Sequence, residues 1–142
     1  MTAWLLNPTC TSARIIRSRE LELFTPYKAI DELWEHRAEW SKKRPNVRLA
    51  EFTGAVGYYI RIVHVNQDSK EMQTAARVMN KIDPDDAEFL ATALIEQAEI
   101  WSRDKDFAKQ DLVQVVATED LVRRSSSHPG LWLAINSDKH WE

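Results

Sequence analysis

Short strand-like apolar runs alternate along the chain with longer stretches of helical spacing. Leu21–Phe24 reads as a strand that stops at Pro26, and Tyr27–Ser41 as a helix with Ile30, Leu33, Trp34 and Arg37 at i, i+3, i+4 and i+7. Ala50–Arg61 predicts a second helix, weakened by Gly54 and Gly57. Ile62–Val65 predicts a short strand and Ser69–Met79 a helix. Asp83-Pro84-Asp85-Asp86 is a helix start, with Asp at the N-cap, Pro at the first helical position and acids in the first turn. That helix runs to about Gln97 on an apolar stripe of Phe89, Leu90, Ala93 and Leu94. Glu99–Ser102 and Leu112–Val116 are further strands, Thr118–Arg124 one or two helical turns, and Ser125–Gly130 a break. Strands separated by helices predict an α/β fold with a mostly parallel sheet and helices on both faces. Such sheets carry their sites at the carboxyl ends of strands, which directs attention to the polar residues there.

Length and composition narrow this further. The chain has 142 residues, 44% hydrophobic, enough for one packed core and too apolar for disorder. The expected organisation is one domain over 1–124 and a tail over 125–142. A net charge of -3, from 19 basic and 22 acidic residues, excludes a globally basic nucleic-acid coat but not a local basic patch. The single cysteine, Cys10, excludes an intramolecular disulfide and a thiolate metal cage. With three glycines, no phosphate-cradling loop or dinucleotide fingerprint is present. No apolar run reaches the ~18–20 residues of a membrane span, and Met1–Leu6 does not read as a signal peptide, so a cytoplasmic protein without membrane contact is expected.

The candidate chemistry lies in carboxylates. Asp104 follows the Ile100-Trp101-Ser102 run at its carboxyl end, with Asp106 two residues on. Asp86 lies in the first turn of its helix, in the positive field of the N-terminus. Taken alone, these residues read either as a helix cap and loop acids or as oxygen ligands for a hard divalent cation, since Mg²⁺ and Mn²⁺ prefer carboxylate and water and need neither Cys nor His. Glu32, between Ile30 and Leu33, and His36 one helical turn on read either as a helix-surface pair or as two ligands.

Asp83-Pro-Asp-Asp-Ala-Glu-Phe-Leu-Ala-Thr-Ala-Leu, followed by Glu99-Ile-Trp-Ser-Arg-Asp-Lys-Asp-Phe107, resembles the C-terminal signature of PIN domains: an acid opening a helix, then a strand ending in Thr/Ser-x-Asp-x-x-Phe. The stretch from Leu21 to His36 is similar to the family's second strand and helix. The resemblance covers roughly Leu5 to Val122, and its nearest branch is the short prokaryotic proteins resembling VapC-type toxins. It implies a three-layer α/β/α sandwich around a mostly parallel sheet, and a Mg²⁺- or Mn²⁺-dependent endoribonuclease, the toxin of a toxin–antitoxin pair. By the same resemblance Glu32, Asp86 and Asp104 are the catalytic acids and metal ligands, Asp106 is an auxiliary acid and Ser102 a steadying hydroxyl. Crowded without a cation, such acids repel one another, and at least one is expected to hold its proton unusually tightly. The family's first strand, ending in its first acid, is the expected missing part, because no acid precedes Glu20. Its loss would leave Ala91, Leu94 and Ile100 poorly covered. The alternative is therefore a catalytically impaired PIN-like module that binds RNA or a protein.

Arg37, Lys42, Lys43, Arg44 and Arg48 form a basic stretch. Between Asp83 and Asp120, by contrast, eleven acids face three basic residues. Lys42, Lys43 and Arg44 are the expected RNA-binding residues, taking phosphates of single-stranded RNA, with ordinary solvated helix faces as the alternative. Of six tryptophans, Trp34 and Trp101 are expected in the core, while Trp40, Trp132 and Trp141 are expected at a surface. Such a surface suits a homodimer or, by the resemblance, an antitoxin-like partner.

Overall fold

A computed structural model describes residues 11–18, 21–43, 45 and 48–124. The start of the chain over 1–10, on which the expectation of a missing first strand rests, Arg44, the tail 125–142, Trp132 and Trp141 lie outside the described residues. The described chain is an α/β fold. In order it runs α1 (Thr11–Ser18), β1 (Phe24–Pro26), α2 (Tyr27–Glu35), α3 (Arg37–Lys43), α4 (Leu49–Tyr59), β2 (Arg61–Val63) and α5 (Lys70–Met79). A 3₁₀ turn over Pro84–Asp86 leads into α6 (Ala87–Glu96), followed by β3 (Ile100–Trp101), a second 3₁₀ turn over Phe107–Lys109, β4 (Val115–Val116) and α7 (Thr118–Arg124). The described strands pair as β1 with β2 and β3 with β4. The second pair is parallel, Ile100 opposite Val115 and Trp101 opposite Val116.

The described residues divide into two compact units. One holds those within Met1–Leu23, Glu32–Arg61 and Thr118–Glu142. Its buried apolar side chains are Ile15 and Ile16 of α1, Trp40 of α3, Leu49, Phe52 and Val56 of α4, Ile60, and Leu121 and Val122 of α7. In α4 the buried positions recur at i, i+3 and i+7, so burial of one face sustains the helix despite Gly54 and Gly57. The other unit holds Phe24–Asp31 and Ile62–Ala117. Its core is Ala75 and Met79 of α5 against Ala87, Leu90 and Ala91 of α6, closed by Phe107. The alanines let the two helices approach closely. Ala91 is fully buried and Leu94 and Ile100 are half-buried against this core, so the poor cover expected for them is not seen.

Two sequence expectations need correction. The helix predicted over Tyr27–Ser41 is interrupted at His36, giving α2 and α3. Trp34, expected in the core, is 42% exposed, whereas Trp40, expected at a surface, is buried and stacks on Phe52 with ring centroids 5.6 Å apart. The other expected core tryptophan, Trp101, is half-buried. The strand predicted over Leu21–Phe24 instead begins at Phe24 and includes Pro26. A two-stranded ladder tolerates this proline, because a strand with one neighbour leaves half its N–H groups without a ladder role.

Candidate metal centre

The site is built by local turns. Asp83 is the N-cap of the first 3₁₀ turn, and its Oδ1 accepts from the Asp85 N–H at 3.1 Å. Residues i and i+3 of a 3₁₀ turn eclipse, so Asp83 and Asp86 fall on the same side. Pro84 suits the first position because that N–H has no partner within the turn. At the other edge, the chain leaving β3 is folded by two side-chain hydrogen bonds. Ser102 Oγ accepts from Asp104 N–H at 2.9 Å, and Asp104 Oδ1 accepts from Asp106 N–H at 2.9 Å. These turns deliver Asp106 to the start of α6.

The result is a cluster in which carboxylate oxygens of Asp83, Asp86 and Asp106 lie within 4.8 Å of one another. Asp86 is half-buried, and its Oδ2 is shut off from solvent with no hydrogen-bond partner. Its carboxyl is pushed from the ordinary 3.8 up to about 6, first by burial, then by the charges of Asp83, Asp104 and Asp106, with Lys28 opposing. A helix N-terminus favours the anion by ~0.3–1 kcal/mol, below one pKa unit. Burial and repulsion therefore prevail over the helix field. Two lysines frame the cluster. Lys109 Nζ donates to Asp106 Oδ1 at 3.0 Å, and Lys28 Nζ donates to the Asp85 carbonyl at 2.6 Å.

The turn after Asp106 is fixed by Gln110, which is buried and uses both ends of its amide. Nε2 donates to the carbonyls of Phe107 and Val113, and Oε1 accepts from the N–H groups of Leu112 and Val113. This clasp ties the second 3₁₀ turn to the approach to β4.

Among the expected site residues, Asp86 and Asp106 come together. Asp104 is exposed, orders Asp106 through its hydrogen bond, and acts on Asp86 through its charge. Ser102 steadies the turn that follows β3. Glu32 is half-buried on α2 and belongs to the other unit. Lys42 and Lys43 end α3 and are exposed. Asp83, read from sequence only as a cap, joins the cluster. Its spacing of three from Asp86 within a proline-started turn was the available signal. Nothing in the sequence pattern pointed to Lys109 or Gln110.

The PIN domain family matches residues 2–124. The chain belongs to the PIN domain family. No curated relative and no solved structure matches it. PIN domains carry nuclease-type chemistry and typically depend on divalent metals. The donor set of this PIN domain fits such a cation: three carboxylates in reach of one another, one with a buried oxygen lacking any partner. No helix among the described residues is long and apolar enough to cross a membrane.

Proposed function

We propose that this PIN domain is a Mg²⁺- or Mn²⁺-dependent endoribonuclease acting on single-stranded RNA. The observation that carries the reading is the buried, unpartnered Asp86 Oδ2 amid the Asp83 and Asp106 carboxylates. Asp83, Asp86 and Asp106 would hold the ion, with Asp104 adding charge and ordering Asp106. Glu32 enters on the sequence resemblance alone. A bound divalent cation supplies a lowered water pKa and neutralises charge on the attacking and leaving oxygens.

The chain's own residues set the conditions for this. The Asp86 carboxyl must give up its proton to act as a ligand, so protons compete with the ion below about pH 6. Lys109 holds Asp106 in place by donating to its Oδ1. Lys42, Lys43 and Arg44 would contact phosphates without reading bases. A toxin role, an antitoxin-like partner, a homodimer and a cytoplasmic location belong to the same proposal through the VapC-like resemblance, with 1–124 as the domain and 125–142 as its tail.

Calorimetric titration of Mn²⁺ into the wild type, Asp86→Asn and Glu32→Gln, paired with cleavage of single-stranded RNA, tests it. Binding and cleavage are expected in the wild type, and both should fall at least tenfold in Asp86→Asn. Equal affinity in those two proteins removes the site. Unchanged binding and cleavage in Glu32→Gln removes Glu32 from it. A catalytically impaired module that binds RNA or protein is favoured by one observation, that Asp104 lies outside the three-carboxylate cluster. Metal binding without cleavage would select that reading.

A further inference from the structure

Two aromatic rings sit stacked on the surface of the unit that carries the acids. Tyr27 and His64 have centroids 4.8 Å apart and planes inclined by 23°, and both residues are exposed, Tyr27 by 42%. Strand geometry explains how they meet. Tyr27 opens α2 directly after the buried Thr25 and Pro26 of β1, and His64 directly follows the buried Val63 of β2; both are exposed. Pairing of β1 with β2 then sets the two rings side by side.

Both sides of this pair are fastened to the segment that carries Asp86. On one side Lys28, the neighbour of Tyr27, donates to the Asp85 carbonyl. On the other, Gln67, three residues past His64, donates from Nε2 to the Glu88 carboxylate at 3.0 Å. The residues beside the rings are thus tied to Asp85 and Glu88, which flank Asp86 in sequence. The stacked pair covers its inner faces and leaves an outer ring face exposed, which is what a nucleobase stacks on, and such stacking tolerates any base.

We propose that Tyr27 and His64 form a stacking platform for one nucleobase of a single-stranded nucleic acid, flanking the acid cluster. The proposal rests on the reading of that cluster as the place of phosphodiester chemistry, and names a neighbouring substrate subsite. The phosphate next to the stacked base is thereby directed toward the carboxylates, while Lys28 offsets part of their negative field.

The test is fluorescence anisotropy of a labelled single-stranded uridine hexamer binding the full chain in EDTA at low salt, so that no cleavage occurs. A matched set carries one abasic position moved along the strand. At one position the abasic oligomer is expected to bind about 5- to 100-fold more weakly than the intact one. Tyr27→Ala and His64→Ala should weaken the intact oligomer by a similar factor and erase the abasic penalty. Tyr27→Phe should bind within about twofold of wild type, since the ring and not the hydroxyl stacks. Urea melts establish that each variant is folded. Equal affinity for intact and abasic oligomers, no binding of either, or a Tyr27→Phe defect as large as that of Tyr27→Ala overturns the platform. Base-dependent binding that persists while Mn²⁺ binds Asp86→Asn as well as wild type overturns the nuclease reading and leaves the platform standing.

Discussion

The two compact units differ in how their residues are brought together. In the unit that carries the acids, nearly everything at the site is placed by bonds between residues two or three apart. Asp83 caps Asp85, Ser102 turns Asp104, Asp104 turns Asp106, and Gln110 clasps Phe107 and Val113. The other unit is assembled from stretches far apart in sequence. Its α1 touches α7, roughly a hundred residues away, and its core is a set of buried apolar side chains on separate helices. The first kind of order is written in short motifs. The second depends on burial, which is non-directional and leaves weak local traces.

This contrast can be strained from both sides, beginning with the largest expected effect. Phe52→Ala empties the Trp40–Phe52 stack in the helical unit and is expected to cost ~3–5 kcal/mol, read as a lowered urea midpoint. Gln110→Leu in the acidic unit keeps the volume near constant but leaves two N–H groups and two carbonyls without their partner. Its expected cost is ~2–4 kcal/mol by the same measurement. A loss below ~0.5 kcal/mol, the size expected at a plain surface site, would show that local clasps do not hold this unit.

Asp86 gives the pH-dependent case. Its folded pKa of about 6 lies above its ordinary 3.8, so the folded state binds the extra proton between those values. Stability from this group therefore falls as pH rises from about 4 to about 6 and stays low above that. Asp86→Asn should match wild type near pH 4 and exceed it by ~1–2 kcal/mol at pH 7.5, after allowance for solvent screening. Thermal melts at the two pH values check this, and saturating Mn²⁺ should reverse the order at pH 7.5.

The smallest effect is expected at Lys109. Its ion pair with Asp106 is solvent-exposed and worth ~0.2–1 kcal/mol. Lys109→Met should lower metal-free stability by that amount and tighten Mn²⁺ binding a few-fold, because a competing cation is gone. Weaker Mn²⁺ binding in Lys109→Met would show instead that Lys109 preorganises Asp106 for the ion.

Much of the acidic unit was legible in advance. The Asp83-Pro84-Asp85-Asp86 start and the Ser69–Met79 helix, capped by Ser69 Oγ on the Met72 N–H, rest on side chains that bond to their own neighbourhood. The helical unit was less so. Trp34 and Trp40 exchanged their expected places because Trp40 is covered by Phe52 of α4, a contact between separate helices that apolar periodicity within one helix does not register. Asp83 was seen as a cap and missed as a cluster member, since a cap occupies one carboxylate oxygen and its local pattern says nothing of the other.

By itself, the sequence determined most of the helix and strand order after Leu21 and the acids that open α6 and follow β3, because each rests on spacing over a few residues, while the Asp83–Phe107 motif carried the resemblance to the family. Only the tertiary structure decided that Asp83 and Asp106 close on Asp86, that the buried oxygen there has no partner, and that Tyr27 stacks on His64. Those facts depend on chain segments some twenty to forty residues apart meeting in space, and the energy of such a meeting is fixed by burial and charge at the contact, which no short stretch of sequence carries.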